Sequence, residues 1–287
     1  MDAKLLFLHV LSPLHAGTGQ GVGVIDLPIA REKATGIPFL PGSSLKGVLR
    51  DRCTDAALRE RVFGPDSANA DKHAGSVQFT DLRLLLLPVR SLAGVYAWVT
   101  SPLLLRRLLR DTVDLDHVSP PGSVPVLSGL EVCVVSEAGC ALTVTLDGGE
   151  QVVLEDLELA AEKSADALLW ADWLGAQLFH DDSYWQDAMK SRLCIVHDDV
   201  FGFLVETATE ITARIRLDSN KKTVVRGALW YEEALPAETV LSGLAVAAEV
   251  ESTIGEVFAT VQALAQESLQ VGGNATVGRG LCRVRVS

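Results

Sequence analysis

The chain has 287 residues, of which 48% are hydrophobic, and a formal net charge of −12 at pH 7. That hydrophobic fraction supports a sizeable core and excludes global disorder. The sequence has no uncharged apolar run of the roughly 18 residues that a spanning helix needs, so no membrane partner is expected. Its cysteines form no Cys-x-x-Cys pair and its start lacks a signal-peptide pattern. These features predict a cytoplasmic protein with reduced thiols.

Positive charge is concentrated in three segments of this acidic chain. Residues 27–52 carry five cations against two acids, and residues 214–226 carry five against one. Three more arginines, at 279, 283 and 285, lie near the end of the chain. This segregation permits a basic groove for nucleic acid on an acidic body. The alternative is that the acidic surface only keeps the protein in solution.

Hydrophobic periodicity and turn residues predict alternating strands and helices along the chain. The predicted elements, in chain order, are a strand over 5–11, a glycine loop at 17–23, a helix over 43–61, a strand over 77–89, a strand over 95–99, a helix over 102–110, strands over 131–135 and 142–146, a helix over 165–178, a basic β-hairpin over 206–231, a strand over 239–250, a helix over 256–268, and a last strand over 281–286. Loops are predicted at 66–75 and 111–130. This order favours one α+β domain over 1–287, with a ferredoxin-like core that carries insertions.

The first glycine loop combines features that suit a nucleic-acid backbone. It has four glycines in seven positions, including Gly17 and Gly19, and Asp26 follows at its far side. Glycine lets a backbone approach another polymer closely. Asp26 could hold a hard cation or orient a ribose 2′-hydroxyl, or it could be an ordinary turn residue.

A helix start and a second glycine loop add to the same interpretation. Ser43 and Ser44 suit a helix N-cap, and Lys46 and Arg50 lie one turn apart on one face. Those cations could contact phosphates or form a solvated stripe. The second loop, residues 271–280, contains four glycines and one arginine. Four of these residues could admit and hold an RNA backbone, or could simply connect a helix to a strand: Gly272, Gly273, Gly278 and Arg279.

On these motifs the chain resembles the RAMP superfamily of CRISPR systems, and within it the repeated backbone subunits of type III-B (Cmr) effector complexes. The resemblance rests on 15–19, 23–32, 38–50, 227–236 and the closing glycine loop, so it extends over most of the chain. It implies an RRM-like core, a filament of copies of the chain on guide RNA, other Cmr subunits as partners, and cleavage of paired target RNA with a divalent cation (Mg or Mn). The closing loop departs from the family pattern, because Asn274-Ala275 stands where relatives often carry an acid.

The resemblance also assigns roles to individual residues. It implies that Asp26 is the catalytic residue and a metal ligand, with His15, Glu232 and Glu233 as possible accessory groups. His15 could equally stack on RNA or form a structural hydrogen bond, and the two glutamates could form a subunit contact. The hairpin corresponds to a thumb that wedges between base pairs. Its candidate wedge or support residues are Ile211, Ile215, Val224 and Val225, and its candidate phosphate contacts are Arg214, Arg216, Lys221, Lys222 and Arg226.

Other functions remain open at this point. One is a purely structural RNA-binding subunit of the same complex, with cleavage performed elsewhere. Another is a stand-alone guide-processing ribonuclease that works without metal. A nucleotide-binding switch is disfavoured, because neither glycine loop ends in the Gly-Lys-Ser/Thr of a phosphate-binding loop.

Overall fold

A computed structural model describes residues 2–18, 25–66, 73–218, 221 and 223–287. It shows a mixed helix-and-strand fold built on one large sheet with the strand order β14-β15-β1-β13-β4-β5-β10-β6-β9-β8-β7. Two short strands join this sheet at its side, β2 on β4 and β3 on β13. The pairs β5–β10 and β6–β9 are parallel and the others are antiparallel. Strands β11 and β12 form a separate two-stranded sheet.

The strands follow the chain from one end to the other. Their bounds are β1 Asp2–Val10, β2 Phe39–Leu40, β3 Val77–Phe79, β4 Leu82–Arg90, β5 Tyr96–Thr100, β6 Val132–Ser136, β7 Thr143–Leu146, β8 Gly149–Leu154, β9 Leu157–Ser164, β10 Leu193–Val196, β11 Glu210–Leu217, β12 Val224–Ala234, β13 Val240–Ala247, β14 Leu269–Gln270 and β15 Leu281–Val286.

The helices pack on the faces of the large sheet, and their apolar sides form the core with it. Phe7 of β1 meets Trp173 edge to face, with ring centroids 6.0 Å apart, and Trp98 and Trp170 are completely buried. None of the described helices is long and apolar enough to cross a bilayer. The helices are α1 Gly42–Arg52, α2 Ala56–Phe63, α3 Pro102–Thr112, α4 Ala165–Leu178, α5 Ser183–Arg192, α6 Asp198–Thr207 and α7 Ile254–Leu264.

The single helix predicted over 43–61 is wrong, because two helices lie there. Helix α1 ends at Arg52, and Asp55 caps α2 by accepting hydrogen bonds from the backbone N–H groups of Ala57 and Leu58. Aspartate favours this position because its carboxylate satisfies N–H groups that have no partner within the helix. The N-cap role predicted for Ser43 and Ser44 is also wrong, since Pro41 occupies that position.

Sequence periodicity also missed five elements between 149 and 207, namely β8, β9, α5, β10 and α6. Strand β9 carries Glu158 and Lys163 among alanines and leucines, a composition that does not favour strands. It is a strand because it pairs in parallel with β6 and antiparallel with β8. Tertiary pairing therefore overrides local propensity here. The predicted loop over 111–130 contains no regular element beyond the end of α3.

The basic hairpin predicted over 206–231 is confirmed as a pair of antiparallel strands, β11 and β12, but its strands begin at Glu210 and end at Ala234, because residues 206 and 207 end α6. Its register places Thr212 opposite Glu232, Arg214 opposite Trp230, and Ile215 opposite Leu229. A bulge follows between Ile215 and Leu217. Since a two-stranded ribbon has little stability by itself, the contacts at its base determine its position.

Ion pairs hold the segment after Asp26 to helix α3 and strand β4. Glu32 accepts from Arg107 at 2.9 Å and from the Thr35 hydroxyl at 2.7 Å, and Arg83 lies 3.4 Å away. Burial by itself would raise the pKa of Glu32, but these hydrogen bonds and the two arginines together lower it below its usual value. The ionised form of Glu32 is therefore favoured by folding.

Glu32 gives an expected pH dependence. A carboxyl group whose pKa falls on folding stabilises the protein above its unfolded pKa, and that contribution is lost as the pH falls through the folded pKa. In Glu32→Gln the loss of unfolding free energy between about pH 5 and 3 is expected to be smaller than in the unaltered chain. Urea titrations at a series of pH values measure it, with exposed Glu137→Gln as the control. Identical pH profiles for the unaltered chain and Glu32→Gln would contradict the assignment.

Candidate catalytic centre and nucleic-acid interface

Asp26 lies against the base of the hairpin, with its side chain exposed. Its carboxylate Oδ2 accepts a hydrogen bond of 2.8 Å from the backbone N–H of Tyr231. The next residue, Leu27, pairs with β12 in parallel: its N–H donates to Tyr231 and its carbonyl accepts from Glu233, both at 3.0 Å. The sequence-predicted acid is thus fixed in orientation while its surface faces solvent.

One edge of β12 collects the segments that carry the predicted site. The N–H and C=O groups of alternate strand residues point to the same side. These are Tyr231 and Glu233 of β12 and Leu235 just after it, and they bond Leu27, the ring of His15 and the backbone of Leu14. The opposite edge pairs with β11. Asp26 and His15 are eleven positions apart in the sequence. They bond groups of β12 that are only two residues apart, Asp26 the N–H of Tyr231 and His15 the carbonyl of Glu233.

The Glu233 carboxylate is buried and fully engaged, at 2% exposure. Its Oε1 accepts from Arg31 at 2.5 Å and from the Thr209 hydroxyl at 3.1 Å, and its Oε2 accepts from the backbone N–H of Ile29 at 3.1 Å. Arg31 donates further to the carbonyls of Gly36 and Val205. These contacts give Glu233 a structural role, and they do not support the accessory acid suggested for it.

His15 is buried beside Gly17 and Gly273. Its Nδ1–H donates to the carbonyl of Glu233 at 2.7 Å, since a carbonyl can only accept. A Cβ at Gly17 would lie 2.5 Å from His15 Nε2, and one at Gly273 would lie 3.1 Å from its Cδ2. These glycines therefore make room for the His15 ring. Whether Gly17, Gly272 and Gly273 also admit RNA stays a prediction.

Gly272 has no room for a side chain and a backbone conformation that disfavours one. Its φ of +77° is in the left-handed region, and an added Cβ would lie 2.5 Å from the His15 carbonyl oxygen. Gly272→Ala is expected to cost at least about 1–3 kcal/mol of unfolding free energy, from backbone strain alone. Gly202→Ala is the control, because that α6 glycine has open space around it, and it should gain about 0.5–1 kcal/mol. Equal midpoints for the two variants in urea would contradict this expectation.

Among the described residues, two of the cations predicted to bind RNA form ion pairs with carboxylates. Arg214 Nε donates to Glu232 at 3.1 Å. Arg279 donates to Glu210 at 2.9 Å and to the Thr212 hydroxyl at 3.1 Å. Both pairs brace the hairpin, Arg279 by joining β11 to the closing loop. Because a carboxylate already neutralises each guanidinium, these two arginines would attract a phosphate less strongly than unpaired arginines.

Glu232 is the centre of a second set of contacts at the hairpin base. Its carboxylate accepts from the indole N–H of Trp230 at 2.9 Å and from the Asn274 amide at 3.2 Å, in addition to Arg214. Asn274 is the residue that departs from the family pattern, and here it donates to an acid rather than being one. The side chain of Glu232 is only 10% exposed.

The hairpin has an apolar face and a polar face. Residues directly opposite one another on paired strands share a face. Ile215 lies opposite Leu229, and Leu217 opposite Val224. The exposed apolar side chains on this hairpin are Ile211, Ile215, Leu217, Val224, Leu229 and Tyr231, while Val225 is partly buried. Exposed apolar surface of this extent marks an interaction site. The suggested wedge residues Ile211, Ile215 and Val224 belong to it.

Helix α1 presents two cations without an acidic partner in the described parts of the chain. Arg50 donates to the Gly64 carbonyl at 3.3 Å, and Lys46 is partly buried beside it. Burial, followed by the charge of Arg50, lowers the pKa of Lys46. Two uncompensated cations on one helix face suit a phosphate. Ser43 is exposed at the start of this helix and Ser44 is partly buried.

The structure describes only some of the remaining residues that were predicted to bind RNA. Arg216 and Lys221 are exposed on the hairpin. Gly19 and Lys222 lie outside the described residues, as does the Arg226 side chain, and so does most of the predicted loop at 66–75. The described residues contain no group of three or more acidic, His or Cys side chains that could hold a metal ion by itself. A cation at Asp26 would therefore take its other ligands from RNA and water, as Mg²⁺ often does.

Sequence reasoning missed Arg31 and Thr209. Both hold Glu233, and through it the segment that carries Asp26. The sequence analysis included Arg31 in a basic segment and in a motif of the resemblance, but gave it no role of its own. No local pattern marks such a residue, because its partner lies 202 positions away.

Comparison with known proteins agrees with this geometry. The RAMP superfamily profile matches residues 7–283. The CRISPR system Cmr endoribonuclease Cmr4 of Pyrococcus furiosus is 37% identical, and the alignment covers 99% of this chain and 95% of that one. The CRISPR system CMR subunit Cmr4 of Saccharolobus solfataricus is 23% identical over 98% of this chain and 96% of its own length.

Solved structures agree with these sequence matches. The crystal structure of oligomeric Cmr4 from Pyrococcus furiosus superposes with a TM-score of 0.73 at 31% identity and covers 100% of this chain and 98% of that chain. A subunit of the type III-B Cmr-beta complex bound to cognate target RNA superposes with a TM-score of 0.76, covering 100% of this chain and 97% of its own. At 21% identity, that second match shows the fold alone. The chain belongs to the RAMP superfamily, as its two glycine loops suggested.

Proposed function

We propose that this chain is the repeated backbone subunit of a cytoplasmic type III-B CRISPR effector complex and its target-RNA endoribonuclease. The observation that carries this proposal is the exposed Asp26 carboxylate, held by the Tyr231 N–H at the base of a protruding hairpin. The relative from Pyrococcus furiosus is named a Cmr endoribonuclease, and its structure is described as oligomeric. Copies of this chain would then form a filament with guide RNA and contact other Cmr subunits.

RNA would lie between helix α1 and the hairpin. Lys46 and Arg50 supply cations for the guide backbone, and Arg216 and Lys221 supply cations on the hairpin. The guide reads the target by base pairing, so the protein needs to contact only backbone and shape. In this proposal the core is ferredoxin-like and the hairpin acts as a thumb. Its apolar face, around Ile215 and Leu229, unstacks the duplex at one step.

The proposed chemistry is transesterification at a splayed nucleotide. The ribose 2′-oxygen attacks the adjacent phosphorus and the P–O5′ bond breaks. Asp26 orients the 2′-hydroxyl or accepts its proton, and the 5′-oxygen leaves with a proton from water. The products are a 2′,3′-cyclic phosphate and a 5′-hydroxyl end. A divalent cation (Mg or Mn) held by Asp26 and RNA would stabilise the charge that develops on the phosphate oxygens.

The proposal is tested with the assembled complex and an end-labelled RNA that matches the guide. Evenly spaced products are expected, because the filament repeats the same site at each copy, and their ends should be a cyclic phosphate and a 5′-hydroxyl. Excess chelator should stop cleavage, and added Mg or Mn should restore it. A single cut, or cleavage that the chelator leaves unchanged, would count against a metal-dependent backbone nuclease.

A further inference from the structure

A groove at the edge of the large sheet lies between the ends of α4 and α7, along β15. Gln177 of α4 and His180, just after that helix, line one side, Gln262 and Ala265 line the α7 side, and β15 forms the floor. Its volume is about 560 Å³, within the range of ligand-binding clefts. The RNA-binding residues proposed above do not line it.

The floor of this groove is an unpaired strand edge. Strand β14 pairs with β15 only at Cys282 and Leu281, so it does not extend past the start of β15. On the other side of β15, the Ser287 N–H donates to the Leu5 carbonyl, and the Leu11 N–H donates to the Leu281 carbonyl. The odd-numbered residues of β15 are therefore the ones whose N–H and C=O groups bond β1. The N–H and C=O groups of Val284 and Val286 therefore point outward into the groove.

The two faces of this edge differ in chemistry. Phe7 packs on Trp173 of α4, and Arg285 lies opposite Phe7, so Arg285 shares the α4 face. Lys4 lies over the Phe258 ring of α7, so the even-numbered face, which includes Val284 and Val286, is the α7 face. A strand added here would meet a cation on one face and apolar side chains on the other.

Arg285 is a cation with unused hydrogen-bonding capacity. Its Nε is buried without a hydrogen-bonding partner in the part of the chain that the structure describes. Burial, followed by the charge of Arg283, lowers its pKa, while Asp181 acts in the opposite direction. Arg283 is exposed one strand repeat away on the same face. Two arginines against one acid leave this face with an excess of positive charge.

We propose that this edge docks an extended acidic segment of a partner protein, which adds to the sheet as a strand antiparallel to β15. Its main chain would bond Val284 and Val286, as in other cases of strand addition. The residue opposite Arg285 is Glu or Asp, because directly opposed residues share a face. The residues on either side of it are apolar and face α7. RNA fits less well, because a phosphate backbone offers no N–H groups to the two outward carbonyls.

The test uses the full chain and a blocked, fluorescein-labelled peptide, Thr-Val-Glu-Val-Glu-Val-Thr, measured by fluorescence anisotropy. Saturable binding is expected. Replacing both glutamates with lysine, or changing Arg285→Gln, should weaken binding by about tenfold or more, because a charge-assisted hydrogen bond is lost. The matched control is Arg90→Gln, an exposed arginine at the end of β4, which should leave binding unchanged.

A second peptide keeps the side chains and removes the backbone donors. N-methylation of the three valines should weaken binding to the unaltered chain by at least about tenfold, because strand addition depends on main-chain N–H groups. This measurement does not depend on how Arg285→Gln folds. Three results would overturn the proposal. The first is the absence of saturable binding, and the second is equal binding of the N-methylated and unmethylated peptides. The third is displacement of the peptide by single-stranded RNA together with no effect of N-methylation. Target-RNA cleavage should be the same in Arg285→Gln and Arg90→Gln, which separates this site from the nuclease site.

Discussion

Target-RNA cleavage by the assembled complex is expected to fall by about 10²–10⁴-fold in Asp26→Asn, because a positioned acid–base group contributes on that order. The asparagine side-chain oxygen can still accept from the Tyr231 N–H, so the local fold should persist. What the variant removes is the negative charge that would bind a cation and take up the 2′-hydroxyl proton. The loss should therefore appear in kcat, while affinity for guide and target RNA stays unchanged.

Single-turnover cleavage of matched RNA measures this effect, with guide-RNA content and complex mass measured alongside. Asp156→Asn is the matched control, because Asp156 is an exposed acid in the turn between β8 and β9. Full cleavage by Asp26→Asn with the divalent cation present would remove the catalytic assignment. The chain would then be a structural RNA-binding subunit, the alternative that the sequence had left open.

The second large effect is expected at Glu233. Glu233→Ala leaves the Arg31 guanidinium, whose side chain is 24% exposed, without its carboxylate and the buried Ile29 N–H without its acceptor. Breaking a buried ion pair costs about 3–5 kcal/mol, and the partial exposure of Arg31 places the expected loss of unfolding free energy at the lower end of that range. Cleavage should fall too, because the segment that carries Asp26 loses its attachment to β12.

Glu233→Gln distinguishes positioning from acid–base chemistry. Glutamine keeps an oxygen for Arg31 or Ile29 but cannot exchange a proton, so a positioning role predicts that most of the cleavage rate survives. If Glu233 were an accessory acid, the Gln and Ala variants would lose cleavage alike. A double-mutant cycle with Arg31→Met should give a coupling energy of about 0.5–3 kcal/mol. Exposed Glu158→Gln on β9 is the control for losing a glutamate charge.

Motif positions were the part of the site that the sequence could predict. Asp26, the closing glycine loop and the strands of the basic hairpin are local features that the structure describes at the predicted positions, whereas residues 19–24, which contain most of the first glycine loop, lie outside the described residues. The purpose of the glycines was less predictable, because Gly17 and Gly273 accommodate the ring of His15. That packing joins residues more than 250 positions apart, which no local pattern reveals.

Charge was predicted least well at the level of single residues. The basic segments suggested one set of phosphate contacts, yet Arg214 and Arg279 pair with Glu232 and Glu210. Lys46 and Arg50 remain without acidic partners among the described residues. A count of cations along the chain does not distinguish these cases, since a charge is compensated by whichever acid the fold brings near it.

The amino-acid sequence alone determined the family, the composition of the core, the catalytic candidate and the existence of the basic hairpin. The core and the hairpin follow from apolar periodicity and a strand–turn–strand order, whereas the family and the role of Asp26 follow from the resemblance of short motifs to a known family. The tertiary structure decided which strand edge gathers Asp26 and His15, which acids neutralise which arginines, and which edge of the sheet is left unpaired. Hydrogen bonds and ion pairs between distant segments fix all three, and their partners are chosen only when the chain folds.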